Sequence, residues 1–231
     1  MLSLTSAEVS ERATYRVAAG SGTLWGGVLA AGASSRMGRS KALLHWGAVS
    51  LVEHAFSILR AAGVAHVLVA VREEDRLALE REQVIAESIK QGNLSFVVPR
   101  PVGGMSASLR TLVDACGGGA LALLQVDRPF VTAEQVSQMI DVFRKVELPV
   151  VARCSDLYMP PVILPMTLRP VLQTLAGDMG LSPLFRAGAI KHASVPFDDP
   201  DGLFGLDVDT PSDWEHALML SRNKMNSVGC R

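Results

Sequence analysis

A loop at 29–41 holds the first group of residues that are suited to chemistry. Its sequence is Leu-Ala-Ala-Gly-Ala-Ser-Ser-Arg-Met-Gly-Arg-Ser-Lys. Small side chains allow several backbone N–H groups to approach one anion closely. A nearby guanidinium matches the oxygen pairs of a phosphate, and an ammonium adds a compact point charge. The small residues are Ala30, Ala31, Gly32 and Gly38, and the cations are Arg36, Arg39 and Lys41. The loop therefore predicts a phosphate site, and the alternative is an ordinary strand-to-helix turn with solvated cations.

Carboxylates form a second group, which follows or interrupts apolar segments. Asp127 comes after the apolar run Ala120–Val126, and Pro129 turns the chain away soon afterwards. Asp207 and Asp209 alternate with apolar residues, so on a strand they would project from the same face. Proteins commonly hold Mg²⁺ with one or two carboxylates together with phosphate oxygens. These aspartates are candidate Mg²⁺ ligands; alternatively, Asp127 satisfies a turn and Asp209 helps to begin the next helix.

A dinucleotide site fits the same loop less well. The loop lacks the Gly-x-Gly-x-x-Gly spacing, and the apolar segment His66–Val71 is followed by Arg72. A nicotinamide fold places an acidic residue near that strand end to bind a ribose, and a loop rich in cations is not typical of it. Although Glu73 and Glu74 come next, a triphosphate is the better match.

The elements that must position these residues alternate between strands and helices. Such alternation predicts one α/β domain at 23–231 with a mainly parallel sheet, preceded by a loose extension at 1–22. Ser155–Leu164, with its paired prolines, interrupts the pattern and is interpreted as a substrate-side flap. The predicted strands are Leu24–Ala30, His66–Val71, Leu94–Val98, Ala120–Val126, Pro149–Arg153, Ala193–Phe197 and Gly205–Asp209. The predicted helices run from Ser50 to about Ala62, Glu73–Gln91, Ser106–Cys116, from Thr132 to about Val146, and onward from Thr210.

Composition excludes several classes of protein. The 231 residues carry 22 Lys+Arg against 23 Asp+Glu, whereas a nucleic-acid binder usually has a basic surplus. The three cysteines form no Cys-x-x-Cys pair, so neither a disulfide framework nor a zinc ribbon is expected. No apolar run reaches the roughly twenty residues of a membrane span. We expect a cytoplasmic protein, monomeric or a small homo-oligomer, that contacts neither nucleic acid nor membrane.

Several motifs resemble, in order, those of the MobA-like NTP transferases, the molybdenum-cofactor nucleotidyltransferases and their relatives. The loop at 29–41 resembles the signature Leu-Ala-Ala-Gly-x-Ser-x-Arg-Met-Gly-x-x-Lys. Matches extend along most of the chain, and the Gly-Met-x-x-Ser-Leu motif is similar to the cytidylyltransferase branch. The further motifs are Gly104-Met-Ser-Ala-Ser-Leu109, Val126-Asp-Arg-Pro-Phe-Val131, Gly177-Asp-Met-Gly180 and Asp207-Val-Asp-Thr-Pro-Ser-Asp213.

The resemblance implies a Rossmann-like, three-layer α/β nucleotidyltransferase fold of the nucleotide-diphospho-sugar transferase type, with a mainly parallel mixed sheet. It implies that Arg36 and Lys41 neutralise an NTP, and that Asp127 holds Mg²⁺ with Asp207 or Asp209 as a second ligand. Ala31 favours CTP over GTP, because Leu-Ala-Ala-Gly is more typical of the cytidylyl branch. The other residues that the resemblance assigns to nucleotide binding are Leu29, Ala30, Gly32, Ser34, Gly104 and Ser106.

The implied activity is transfer of a nucleoside monophosphate, CMP from CTP, to a phosphorylated acceptor such as molybdopterin, with release of pyrophosphate. Four positions depart from the family pattern. Val98 replaces a common Asn, Val126 replaces a small residue, Arg128 adds a cation, and Pro160 replaces a His on the acceptor side. These departures leave open a sugar- or polyol-phosphate acceptor, or a non-catalytic relative that only binds nucleotide.

Overall fold

The computed structural model describes residues 22–100, 104–177 and 180–228. Within these residues, the strands are β1 (Leu24–Leu29), β2 (His45–Trp46), β3 (Val49–Ser50), β4 (His66–Ala70), β5 (Leu94–Val97), β6 (Ala120–Gln125), β7 (Val150–Cys154), β8 (Leu157–Pro165) and β9 (Ala193–Pro196). Seven of them form one sheet in the order β5-β4-β1-β6-β8-β7-β9, and β2 and β3 pair as a small hairpin. The helices are α1 (Leu51–Ala61), α2 (Glu73–Leu79), α3 (Gln83–Lys90), α4 (Gly104–Ala115), α5 (Ala133–Val146), α6 (Arg169–Gln173), α7 (Ser182–Arg186) and α8 (Pro211–Val228).

The sheet is mixed but mainly parallel, as predicted. β1 pairs in parallel with β4 on one side and β6 on the other, and β8 runs antiparallel to β6 and β7. Both faces are covered, because successive residues of one strand enter different cores. Val67 and Val69 of β4 belong to the larger core, while Leu68 packs in the smaller one with residues of α4 and α7. The predicted three-layer arrangement is confirmed.

The helix ends follow local sequence signals. The Ser50 hydroxyl accepts from the backbone N–H of Glu53 at 3.1 Å and so caps α1. Thr132 and Gln135 form the reciprocal capping box that begins α5. These caps satisfy backbone groups that a helix start leaves without intrahelical partners.

The single helix predicted at Glu73–Gln91 is wrong, because the chain forms α2 and α3 with a break between them. Leu79 and Ile85 are both fully buried in the same core. Six residues apart on one continuous helix, they would point about 120° from each other. The break turns both side chains inward, and the Glu82 carboxylate beside it accepts from the Ser50 hydroxyl at 2.8 Å.

The flap predicted at Ser155–Leu164 is also wrong, because most of this segment belongs to β8, between β6 and β7. Its prolines are tolerated because the register with β7 shifts there. Val162 pairs with Val151 and Met159 with Ala152, so the two prolines fall in the irregularity between these pairs. Proline lacks the N–H for a regular ladder and is accommodated at such bulges.

The strand predicted at Gly205–Asp209 is an extended loop instead. Its backbone bonds go to a local turn and to the loop after β6, not to a strand ladder. The Leu206 N–H donates to the Leu203 carbonyl, and the Val208 N–H donates to the Asp127 carbonyl at 3.0 Å. This last bond brings the loop beside Asp127.

Candidate active site

The candidate site lies at the carboxyl ends of three neighbouring strands. Leu29 of β1 is level with Ala70 of β4 and with Gln125 of β6. The segments that follow these three strands therefore meet above the same edge, where open α/β sheets bind ligands. Together with the start of α4 and the loop before α8, they line a cleft of about 580 Å³.

The loop after β1 is folded into a fixed, curved shape around Ser34. Ser34 has a φ of +50°, which is uncommon for a residue with a side chain. Its carbonyl accepts from the backbone N–H groups of Met37 and Gly38, and its hydroxyl accepts from the N–H of Lys41 at 3.2 Å. Backbone strain of this kind is held in place by surrounding bonds and concentrates at functional sites.

Gly32 in this loop lines the cleft and leaves open space beside it. A Cβ built at this position would meet no atom within 4 Å, and its backbone lies outside the left-handed region that favours glycine. Neither packing within the protein nor backbone conformation therefore explains a glycine here. The missing side chain does leave room for a bound group to approach the loop closely.

Four charged side chains meet on the β6 side of the cleft. Lys41 Nζ lies 2.6 Å from Asp209 Oδ1 and 3.1 Å from Asp127 Oδ2. Arg36 Nη2 lies 2.8 Å from the other oxygen of Asp209. The Lys41 ammonium therefore bridges two carboxylates that come from distant parts of the chain.

The charges in this cluster support one another. Burial alone would lower the pKa of Lys41, but the nearby carboxylates of Asp127 and Asp209 outweigh it and raise that pKa above its ordinary value. The hydrogen bond from Lys41, helped by Arg36, lowers the pKa of Asp209. Lys41 is thus held as a cation and Asp209 as an anion.

The cluster fits a divalent metal ion. Asp127 Oδ1 is buried and has no hydrogen-bond partner among the described residues. Such an oxygen is costly to leave unpaired, and a cation would satisfy it. Across residues 22–100, 104–177 and 180–228, His, Cys, Asp and Glu form no metal-binding group of three or more. The site therefore suits a metal ion that is bound by Asp127 and Asp209 and that obtains its other ligands from phosphate or water.

Asp207 lies outside the cleft, although the alternation in the sequence placed it beside Asp209. Its Oδ2 accepts from Arg128 Nη2 at 3.0 Å. Burial, with a further contribution from Asp127 and Asp209 against the opposing effect of Arg128, raises the pKa of Asp207 to about 6. The structure thus brings Asp209, and not Asp207, together with Lys41 and Asp127.

Most other residues chosen from the sequence lie on the cleft wall. Ser106 does not: it is buried, and its hydroxyl donates to the Gly177 carbonyl at 2.6 Å. Arg39 instead lines a separate groove beside Trp214. Asp178 and Met179 of the Gly177–Gly180 motif lie outside the described residues, as do residues 1–21 of the predicted extension. The predicted residues on the cleft wall are Leu29, Ala30, Ala31, Gly32, Ser34, Arg36, Lys41, Gly104, Asp127 and Asp209.

Of the four departures from the family pattern, one lies at the cleft wall and three lie elsewhere. Val126 packs in the larger core and also lines the cleft. Arg128 is held by Asp207 and also donates to the Gly205 carbonyl, so it fastens the loop that carries Asp209. Pro160 lies in β8 at the register shift described above. Val98 is half-buried just after β5.

Sequence reasoning missed several residues of the cleft wall. Arg72 and Glu74 follow β4, and Gln125 ends β6. Their signal was available, because residues that follow the carboxyl ends of parallel strands are favoured ligand positions. Met105 and Ser108 of α4 also line the cleft, within the stretch 104–108 that the resemblance places near the nucleotide or the acceptor.

None of the helices in the described part of the chain is long and apolar enough to cross a membrane. This agrees with the lack of a long apolar run in the sequence.

Two curated proteins are similar in sequence to about half of this chain. A probable molybdenum cofactor guanylyltransferase of Opitutus terrae is 33% identical over 117 residues, which are 51% of this chain and 54% of that protein. A molybdenum cofactor guanylyltransferase of Xanthomonas euvesicatoria pv. vesicatoria is 31% identical over 119 residues, 50% of this chain and 53% of its own length. The matched part of the chain thus spans about half the length of these curated relatives.

Solved structures show the same fold. The crystal structure of Rv0371c from Mycobacterium tuberculosis H37Rv is 25% identical, with a TM-score of 0.70, and the match covers 85% of this chain and 98% of that one. A structure of the same protein in complex with manganese matches at 23% identity with a TM-score of 0.63, again over 85% and 98% of the two chains.

The family model for the MobA-like NTP transferase domain matches residues 26–195. This range holds the loop after β1, Arg72 and Asp127. The chain therefore belongs to the MobA-like NTP transferase family.

Proposed function

We propose that this protein is a nucleotidyltransferase that transfers a nucleoside monophosphate from an NTP to a phosphorylated acceptor and releases pyrophosphate. The acceptor proposed is molybdopterin, since two curated relatives are named molybdenum cofactor guanylyltransferases. The observation that carries the proposal is the convergence of Lys41, Arg36, Asp127 and Asp209 beside an open, glycine-containing loop. Paired cations and carboxylates of this kind suit a metal-bound triphosphate.

In the proposed reaction, the protein itself forms no covalent bond with the substrates. An oxygen of the acceptor phosphate attacks the α-phosphorus in line, a new P–O bond forms, and the bond to the β-phosphate oxygen breaks. The electron pair leaves with pyrophosphate. An ionised phosphate needs no general base, so the protein contributes positioning and charge neutralisation.

Arg36 and Lys41 would bind the β- and γ-phosphates and stabilise the leaving pyrophosphate. To do so, the Lys41 ammonium would give up its hydrogen bonds to Asp127 and Asp209 and donate to phosphate oxygens instead. The two carboxylates would then be free to hold a divalent cation, for which we propose Mg²⁺. When bound, the cation would neutralise charge that develops on the α-phosphate.

We propose GTP as the nucleotide, in line with the names of both curated relatives. CTP is the second candidate, because the Leu-Ala-Ala-Gly form of the loop, with Ala31, is more typical of the cytidylyl branch.

A pyrophosphate-release assay tests the proposal. Purified protein with Mg²⁺ and each of the four NTPs should release pyrophosphate only when molybdopterin is added, and fastest with GTP. Pyrophosphate release with a sugar phosphate but not with molybdopterin would show that the acceptor is a sugar phosphate. Nucleotide binding without release for any acceptor in the panel would indicate a non-catalytic relative.

A further inference from the structure

The cleft has two charged ends, which lie on opposite sides of the loop after β1. Asp127 lies two residues beyond Gln125 of β6, and Arg72 lies two residues beyond Ala70 of β4. β4 and β6 flank β1, so neighbouring-strand spacing places their ends about 10 Å apart. A nucleotide that reached both ends would lie across the loop, with Gly32 beneath it.

The two ends differ in how they would receive a triphosphate. At the β6 end, Lys41 and Arg36 balance Asp127 and Asp209, and a divalent cation would make that end positive. At the β4 end, Arg72 faces two carboxylates, Glu74 and Asp75, so the group carries net negative charge. Phosphates are therefore favoured at the β6 end, which leaves the β4 end for the base.

Arg72 is held in one orientation. Its Nε and Nη2 donate to the two oxygens of Asp75 at 2.9 and 3.2 Å, a two-point contact that fixes the guanidinium plane. The Asp75 side chain is only 4% exposed and also accepts from the Ser40 hydroxyl at 2.9 Å, at the end of the β1 loop. The remaining Nη1 lies 3.1 Å from Glu74 Oε1, and both residues line the cleft.

Glu74 is paired with Arg72 but remains open to solvent at this end. Its side chain is 68% exposed and lines the cleft. The adjacent Arg72 Nη1 is a donor, so the pair presents one donor beside a two-oxygen acceptor. Among the four common bases, guanine alone presents one acceptor, O6, followed by two adjacent donors, N1–H and N2–H.

We propose that Arg72 and Glu74 determine nucleotide specificity, with the Glu74 carboxylate accepting from guanine N1–H and N2–H and Arg72 Nη1 donating to O6. Asp75 is the positioning residue that holds Arg72. This inference rests on the proposed function only in taking an NTP to be the ligand of the cleft.

Equilibrium binding of GTP, ITP and CTP with Mg²⁺ tests this proposal, because ITP lacks only the N2 amino group. The wild-type protein should bind GTP about tenfold more tightly than ITP, the effect of one hydrogen bond to a charged group. Glu74→Gln, which keeps the shape but removes the charge and one acceptor oxygen, should bring the GTP-to-ITP ratio close to one.

Glu73→Gln is the matched control. Glu73 is the neighbouring carboxylate, but it pairs with Arg76 outside the cleft. This variant should keep the wild-type ratio of GTP to ITP affinity. An unchanged ratio in Glu74→Gln, or a wild-type preference for CTP over GTP, would overturn the assignment. If none of the nucleotides binds any variant, the proposed function itself is wrong, whereas binding with no base preference contradicts only this inference.

Discussion

Lys41 holds together two aspartates that would otherwise repel each other. Its ammonium contacts both Asp127 and Asp209, the two carboxylates that would hold a divalent cation. Like charges close together disfavour each other. We therefore expect Lys41 to compete with metal in the nucleotide-free protein.

Replacing Lys41 should separate metal binding from nucleotide binding. In Lys41→Met, the two carboxylates lose their internal cation, so Mn²⁺ alone should bind at least fivefold more tightly, as titrated by electron paramagnetic resonance. NTP affinity should fall at least tenfold, because the phosphate contact is lost. Arg39→Met removes the same charge from the same loop outside the cleft and should change neither affinity. Mn²⁺ binding no tighter than in the wild type would contradict competition by Lys41.

The two carboxylates of the last loop should differ in their importance. Asp209→Asn should reduce pyrophosphate release by about two orders of magnitude, as should Asp127→Asn, because each removes a proposed metal ligand. Asp207→Asn should cost less than tenfold, since Asp207 contacts Arg128 rather than the cleft. Asp141→Asn, at an exposed pair with Arg144, controls for loss of one surface carboxylate. Equal losses for Asp207→Asn and Asp209→Asn would contradict the assignment of the second ligand.

At the scale of elements, the sequence predicted the central strands most accurately, because a run of apolar residues is a simple signal for a buried strand. Short apolar runs predicted β1, β4, β5 and β6 to within a residue or two, and β4 and β6 are buried on both faces. Residue types alone indicate Lys41, Asp127 and Asp209 as site candidates, and the structure brings them together. The sequence could not separate Asp207 from Asp209, because their partners Arg128 and Lys41 are distant in sequence. Nor could local patterns show that Pro160 lies at a register shift that depends on β7.

A hydrogen bond from His54 joins α1 to the loop after β6. His54 Nε2 donates to the Pro129 carbonyl at 2.8 Å, and the ring lies near Trp46. Burial lowers the pKa of His54 from its ordinary 6.5. The unfolded chain therefore takes up a proton at a higher pH than the folded protein does.

This difference predicts a pH dependence of stability. The contribution of neutral His54 is complete above about pH 6.5 and is lost as the pH falls from there through the lowered pKa of the folded state. Asp207, whose pKa is raised to about 6, acts in the opposite direction over the same range, so the His54 effect is read as a difference between two proteins. In urea unfolding between pH 7.5 and 5.0, the free energy of unfolding of the wild type should decrease relative to that of His54→Gln as the pH falls. It should stay constant relative to that of His45→Gln, at an exposed site. A slope that is the same in His54→Gln and wild type would contradict this role.

At the scale of the molecule, the cleft joins segments that are far apart in sequence. Its wall takes residues from the ends of β1, β4 and β6, the start of α4 and the loop before α8. A ligand that contacts these segments at once must stabilise the whole fold, because it binds the folded state and not the unfolded chain. At a concentration of 100 times Kd, this linkage is worth about 2.7 kcal/mol.

We therefore expect a saturating Mg²⁺–NTP complex to raise the Tm by roughly 5–10 °C, from the usual relation for a domain of this size. Differential scanning fluorimetry measures it directly. Removing metal with EDTA should abolish most of the shift, because the triphosphate would then face Asp127 and Asp209 unscreened. A full shift in the presence of EDTA would show that binding does not need the cation.

The distance along the chain between Asp127 and Asp209 also affects when the site can form during synthesis. Every other residue on the described cleft wall lies within 29–127, so these residues are synthesised before β7, β8 and β9. A growing chain that stops short of Asp209 has the loop and the lysine but only one of the two carboxylates. We therefore expect competence to hold a metal-bound nucleotide to appear late in translation, once Asp209 has been added.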